Sequence, residues 1–258
     1  MTFSSTFGRV FSPTFQPKSQ AMVAGGAFSP TDITGCALWL DFSDADIMFT
    51  DAGSTKVVND GDLIYQMNDK SGNSNHLTYT VNKPAYKVNI QNGKSVGRWG
   101  ASTGLETKDN LALSWGANLK TLFFVLSPTS WDSTSNWVFT TSTGFNFLAW
   151  SWIIYDGGSR RWADSDGSSV CQLINLYHTD NNANTYVLYK DGSLQTPTFT
   201  SAGTIDTNAS KLRLGEHQTI TNRCFAGDFE EVIIYDGALS DTNRQSVETY
   251  LNNKWAIY

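Results

Sequence analysis

From Ile33 onward the chain is written in short runs of aromatic and β-branched residues, broken by Gly and Asp, and no helical period alternates with them. The runs are "CALWLDF", "TLFFVLS", "WVFTT", "FNFLAWSWIIYDG", "TYVLYKDG", "KLRLG" and "FEEVIIYDG". Each has the length and composition of a β-strand, and turn residues separate them. Without intervening helices a parallel α/β sheet is excluded. The pattern predicts an all-β fold, a two-sheet antiparallel jelly-roll sandwich. Aromatics at 13% of the chain, nine Trp among them, suit such a core.

One phrase recurs. "IIYDG" stands at Ile153–Gly157 and again at Ile233–Gly237, and "LYKDG" at Leu188–Gly192. The residues flanking the two full copies do not match, and no repeat of 20–50 residues exists, so neither solenoid nor propeller follows. In each copy a Tyr closes a strand and Asp-Gly turns the chain. The repeat is a structural idiom, not a duplicated site.

Two segments depart from this texture. In "LSDTNRQSVETYLNNKW", Ser240 or Asp241 can cap a helix whose Val247, Tyr250, Leu251 and Trp255 share one face. That C-terminal helix should close the sandwich. Residues 1–30 contain no acidic residue and three prolines, with Phe3, Phe7, Phe11 and Phe15 at every fourth position. Pro13 and Pro17 forbid a continuous helix, so an extended arm is expected before a domain at 31–258. Four exposed phenylalanines would be an aggregation liability. They either pack back on their own domain or dock on another subunit, and docking is the expectation adopted here.

The stretch "RCFAGDFEEVIIYDGALSDTNRQSVETYLNNKW" resembles the closing segment of laminin-G-like, concanavalin-A-like jelly-roll domains of bacterial and bacteriophage proteins. The matching positions are Gly227, Asp228, Glu231, Tyr235, Asp236, Leu239, Ser240, Tyr250, Leu251, Lys254 and Trp255. Upstream, "ALWLDFSDAD" is similar to the family's opening strand and "QMNDKSGNSNHL" to a conserved turn, with Met67 where that turn carries Trp. "YVLYKDGSL" looks like the penultimate hairpin. The resemblance spans about residues 35–258. It implies the fold but no single function. The arm, "FGRVFSPTFQP", is similar to N-terminal segments of bacteriophage structural proteins.

Several chemistries are excluded or weakened. A net charge of −6 disfavours nucleic acid. Cys36, Cys171 and Cys224 form no CxxC and are read as buried free thiols. His76, His178 and His217 make no metal-binding spacing. No secretory h-region and no apolar run long enough for membrane insertion is present. Of the five Glu, none makes the Glu-x-Asp-x-x-Glu pattern of sandwich glycosidases. Glu230 and Glu231, as strand neighbours, should face opposite ways. GxSxG and P-loop patterns are missing too. The chain is expected not to be an enzyme.

Two binding readings remain. Laminin-G-like domains often hold calcium at a loop rim, so the resemblance makes Asp41, Asp44 and Asp46 calcium candidates, with Asp164 and Asp166 a second acidic turn. Trp131, Asp132 and Trp137 in "TSWDSTSNW", and Trp162 in "SRRWADSDG", have the aromatic and polar groups of a sugar-binding surface. The expected function is a non-enzymatic bacteriophage virion protein, synthesised in the host cytoplasm. Its arm would dock on other virion proteins while the jelly roll is displayed, as in head decoration or a head fibre. The alternative is a receptor- or glycan-binding adhesin module of a tail fibre or cell surface. Homo-oligomerisation is compatible with either.

Overall fold

The computed structural model describes residues 27–108, 120–130, 137–141, 146–148, 153–156, 159–160, 169–178, 186–196, 211–217 and 223–258. In chain order the strands begin with β1 (Cys36–Asp41), β2 (Met48–Phe49), β3 (Gln66–Met67), β4 (Leu77–Tyr79), β5 (Ala85–Gln91) and β6 (Lys94–Trp99). Then come β7 (Leu105–Thr107), β8 (Lys120–Pro128), β9 (Trp137–Thr141), β10 (Asn146–Leu148), β11 (Ile153–Asp156) and β12 (Ser159–Arg160). The last are β13 (Gln172–His178), β14 (Tyr186–Lys190), β15 (Ser193–Leu194), β16 (Leu212–Leu214) and β17 (Gly227–Asp236), followed by helix α1 (Asp241–Trp255). One sheet runs β15-β14-β13-β8-β17-β6-β5, with β1 also on β17, and the other runs β12-β11-β10-β9-β16-β7-β4-β3-β2. Among the described residues every pairing between these strands is antiparallel. The fold is the jelly-roll sandwich that the strand texture predicts, with its C-terminal helix.

The first sheet is buried on both faces. Leu122, Phe124, Leu126, Phe229, Val232 and Ile234 point into the main core between the sheets. The alternate residues Phe123, Val125, Ile233 and Tyr235 point outward, against Val247, Leu251 and Trp255 of α1. That double burial is why β8 and β17 read as unbroken apolar runs. The helix starts at Ser240, whose hydroxyl accepts the Asn243 amide, and ends at Ala256 in the left-handed conformation. The Tyr-Asp idiom ends strands as expected: β11 stops at Asp156 and β17 at Asp236. In the looser copy Asp191 and Gly192 take φ of 48° and 73° just past β14.

Phe28 and Pro30 already contact the sandwich. Phe28 lies 5.7 Å from the Tyr250 ring, and the Tyr235 hydroxyl donates to the Pro30 carbonyl. Residues 1–26, including Phe3, Phe7, Phe11 and Phe15, lie outside the described residues.

Candidate functional site

The residues that carry the family resemblance hold the sandwich together. Asp69, in the turn before β4, accepts the backbone amides of Trp39, Ser71 and Asn75 and the Ser71 hydroxyl. Asn73 and Asn75 donate to the carbonyls of Cys36 and Ala37, so this turn clasps β1. Glu231 accepts from the indoles of Trp39 and Trp255, the Tyr250 hydroxyl and the Lys254 ammonium, all within 2.7–2.8 Å. It is the polar pin between β1, β17 and α1. Burial first, and then Asp41, pushes its pKa up, while Lys254 and Trp255 oppose.

The acidic triplet is matched by lysines. Lys70 lies 3.0 Å from Asp41 and 2.7 Å from Asp44, Lys254 is 2.6 Å from Asp41, and Lys56 is 2.6 Å from Asp46. Burial works to raise the Asp41 pKa, but Lys254 and Lys70 outweigh it and hold the carboxyl below its usual range. Ammonium groups therefore lie beside all three carboxylates, Asp41, Asp44 and Asp46. No group of three His, Cys, Asp or Glu that could hold a metal occurs among the described residues.

Glu230 and Glu231 do not face opposite ways. A β-bulge lies between Phe229 and Glu231, where two residues of β17 oppose one step of β8. The extra residue resets the alternation, and both side chains turn to the outer face. Glu230 accepts the Ser127 hydroxyl at 2.7 Å through one oxygen, and its other oxygen has no partner. Burial pushes its pKa up to about 8. Both carboxyls are sealed from solvent and cannot meet a substrate.

Cys36 and Cys171 are half-buried and Cys224 is buried, all as free thiols. Burial pushes the Cys36 thiol up to about 12 and also raises Cys171, which suppresses the reactive thiolate.

An open concavity lies elsewhere, on the second sheet. The register sets Thr78 opposite Glu106 and Glu106 opposite Arg213, one polar row across β4, β7 and β16. Their neighbours Leu77, Thr107, Leu212 and Leu214 are buried beneath. Together with Tyr79, Thr80, Val81, Lys108 and Lys211 this row lines a groove of about 430 Å³. Arg213 donates to Glu106 at 2.6 and 2.9 Å and approaches Glu216 at 3.4 Å. Thr80 donates to Glu216 at 2.7 Å, and Lys211 reaches Glu106 at 3.3 Å. A Cβ at Gly104 would come within 2.8 Å of the Thr80 hydroxyl and 3.0 Å of Glu216, so only glycine lets this floor close. Tyr79 of this lining stands 4.8 Å, centroid to centroid, from Tyr65, and the Lys83 ammonium lies over both rings. Val81, 65% exposed, adds an apolar rim.

Of the sugar-binding candidates, Trp131, Asp132 and Trp162 lie outside the described residues, as do Asp164 and Asp166. Trp137 is a correction. It opens β9 and is only 5% exposed, with His217 edge-on at 4.5 Å and Arg223 over its ring at 5.0 Å. Such a ring packs the sandwich and offers no face to a sugar. The groove residues Thr78, Glu106, Lys108, Lys211 and Arg213 are absent from the sequence-based candidates. Their one signal is alternation, polar outward and apolar inward, in "HLTYT", "LETK" and "KLRL".

No family model matches the chain, and no curated protein matches it in sequence. Solved structures do. Domain 4 of AbnA, an extracellular GH43 arabinanase from Geobacillus stearothermophilus solved with arabinotriose, superposes with a TM-score of 0.55 at 16% identity, covering 83% of this chain and 97% of that one. A GH54 α-L-arabinofuranosidase soaked with a cyclic sulfate inhibitor gives 0.57 at 16% identity, over 83% of this chain and 58% of its own. The binding domain of botulinum neurotoxin DC, in complex with rat synaptotagmin II, gives 0.52 at 11% identity, over 86% and 52%. At these identities the likeness is one of fold: a β-sandwich that occurs both as a separate domain and as part of larger chains.

Proposed function

We propose that this chain is a non-catalytic carbohydrate-binding module whose site is the groove across β4, β7 and β16. The observation that carries the reading is the composition of that groove. Three threonines, a carboxylate, two ammonium groups and a guanidinium line about 430 Å³, beside an exposed valine and a tyrosine. That volume falls within the roughly 300–1,000 Å³ usual for small-molecule sites. Sugars ask for this mixture of donors, acceptors and an apolar flank. The solved likeness to an arabinanase domain holding arabinotriose supports the reading by analogy of fold.

Catalysis is the poorer reading. Sugar hydrolysis needs one carboxyl that presents a proton and a second that attacks or activates water. Glu230 and Glu231 are sealed, and Arg213 donates to or approaches both Glu106 and Glu216. Trp131, Asp132 and Trp162 are retained as proposed secondary sugar contacts.

The setting we propose is a bacteriophage particle, with the segment 1–30 as anchor and the sandwich displayed. This rests on the sequence resemblance. A tail-fibre or cell-surface adhesin uses the same groove in another place.

Affinity electrophoresis through gels containing soluble polysaccharides tests the binding. The full chain is expected to be retarded by at least one polysaccharide, and Thr78→Trp, which fills the groove, to run free with an unchanged unfolding midpoint. Undiminished retardation of Thr78→Trp would remove the groove from the binding site.

A further inference from the structure

Most polar atoms around the groove are spent on one another, and two that are not stand on neighbouring strands. Of the three threonines in the lining, Thr107 accepts the Leu212 amide at 3.0 Å and Thr80 donates to Glu216 at 2.7 Å. Thr78 is half-buried, and its hydroxyl makes no hydrogen bond among the described residues. Arg213 gives Nε and Nη2 to a single oxygen of Glu106, Oε2, at 2.9 and 2.6 Å. Its Nη1 donates to Glu216 and to the His217 carbonyl. The guanidinium is therefore a clamp that fixes the Glu106 carboxylate. The other oxygen, Oε1, takes Lys211 at 3.3 Å, and a carboxylate oxygen has a lone pair left for a second donor. Thr78 stands opposite Glu106 across β4 and β7, on the side away from Arg213. Neighbouring strands lie about 4.8 Å apart. The groove thus offers an acceptor and a hydroxyl that both donates and accepts, one strand apart, with exposed Val81 in the same lining.

We infer that Glu106 and Thr78 read a vicinal diol of a sugar ring. One hydroxyl donates to Glu106 Oε1, its neighbour exchanges a hydrogen bond with the Thr78 hydroxyl, and the C–H face of the ring lies along Val81. This inference rests on the carbohydrate-binding reading and names the ligand class within it. A carboxylate accepts and never donates, so the group it meets must carry a proton, which a hydroxyl has and a glycosidic oxygen lacks. A hydrogen bond to a charged acceptor is also the stronger kind, and the Arg213 clamp leaves less side-chain freedom to lose on binding. Linkage then sorts the glycans. A 1,4-linked pyranose keeps adjacent free hydroxyls at carbons 2 and 3, whereas a 1,3-linked one has no two adjacent hydroxyls free. The groove should hold 1,4-linked chains and refuse 1,3-linked ones.

The test is a polysaccharide array probed with the full chain. Glucan, mannan, galactan and xylan are each printed in 1,4-linked and 1,3-linked form. Polymers are used because chain ends, which carry a diol in either linkage, are then rare. We expect at least one 1,4-linked member to be retained about tenfold over its 1,3-linked partner, a difference of about 1.4 kcal/mol. Thr78→Val, close in shape but without the hydroxyl, should lose that preference. Its unfolding midpoint should be unchanged, because the hydroxyl has no partner within the described fold to lose. Thr78→Ser keeps a hydroxyl and should bind as the wild type does. Equal retention of the two linkages, or preference for the 1,3-linked form, overturns the inference and leaves the carbohydrate reading standing. Retention of neither overturns both. A 1,4-preference undiminished in Thr78→Val overturns the inference by placing the diol elsewhere, and so does its loss in Thr78→Ser.

Discussion

Glu230 holds one carboxylate oxygen against the Ser127 hydroxyl and leaves the other without a partner, in a place solvent does not reach. Neutral, such a group costs little; charged, it costs much. Its pKa rises from about 4.5 in the unfolded chain to about 8 in the fold, and nearby Asp228 adds to the effect of burial. The folded state therefore holds the proton more tightly. The stability this confers is complete below about pH 4.5 and is lost as pH rises through 8. By pH 7 the loss is on the order of 3 kcal/mol. Urea midpoints measured from pH 5 to 9 should fall in the wild type and flatten in Glu230→Gln. Glu231 titrates in the same sense, so the slope difference between the two proteins is the quantity to read. Equal slopes would mean the carboxyl is hydrated. Little of this was legible beforehand. The alternation rule assigns Glu230 and Glu231 to opposite faces, and a single bulge between Phe229 and Glu231 cancels it. Bulges carry no reliable local signature, whereas Val247, Leu251 and Trp255 declared their buried face through helical spacing alone.

At the scale of elements, α1 is attached through its motif residues. Trp255 is fully buried, and its indole, with Tyr250 and Lys254, converges on Glu231. Glu231→Ala leaves two indoles and a hydroxyl without their acceptor, although Lys254 keeps Asp41 at 2.6 Å. Removing one side of a buried charged network costs about 3–5 kcal/mol, and the retained Asp41 contact places the expectation near 3. Trp255→Ala removes the largest fully buried side chain among the described residues, at about 3–5 kcal/mol. Thermal or denaturant unfolding followed by tryptophan fluorescence measures both; a loss under about 1 kcal/mol in each would mean that α1 is not integral to the fold. Strand texture and the helix were readable because each is a local pattern. The groove was not, because β7 and β16 are adjacent in space but about a hundred residues apart in the chain. Arg244 and Glu248 are charged residues of the same helix, yet both are 5% exposed, with the Tyr189 ring 3.9 Å from the guanidinium.

For the whole molecule the decisive issue is what the first thirty residues do, and the structure says where to cut. Truncation at residue 30 would remove the Phe28 contact with Tyr250 and the Pro30 carbonyl that accepts the buried Tyr235 hydroxyl. An unsatisfied buried hydroxyl costs about 1–3 kcal/mol, so that variant would confuse anchoring with stability. Truncation at residue 26 keeps both contacts and removes Phe3, Phe7, Phe11 and Phe15. If those side chains serve another subunit, the 27–258 chain keeps its unfolding midpoint to within about 0.5 kcal/mol. It should also stay soluble and fail to attach to particles, as judged by immunogold labelling of particles mixed with each form. If instead the phenylalanines cover their own sandwich, the same truncation exposes apolar surface. The midpoint then falls, and the truncated chain associates at concentrations where the full chain does not. Attachment that persists without residues 1–26 would move the anchor into the sandwich itself. The groove would then have to be tested as a docking surface for the particle before any glycan is sought for it.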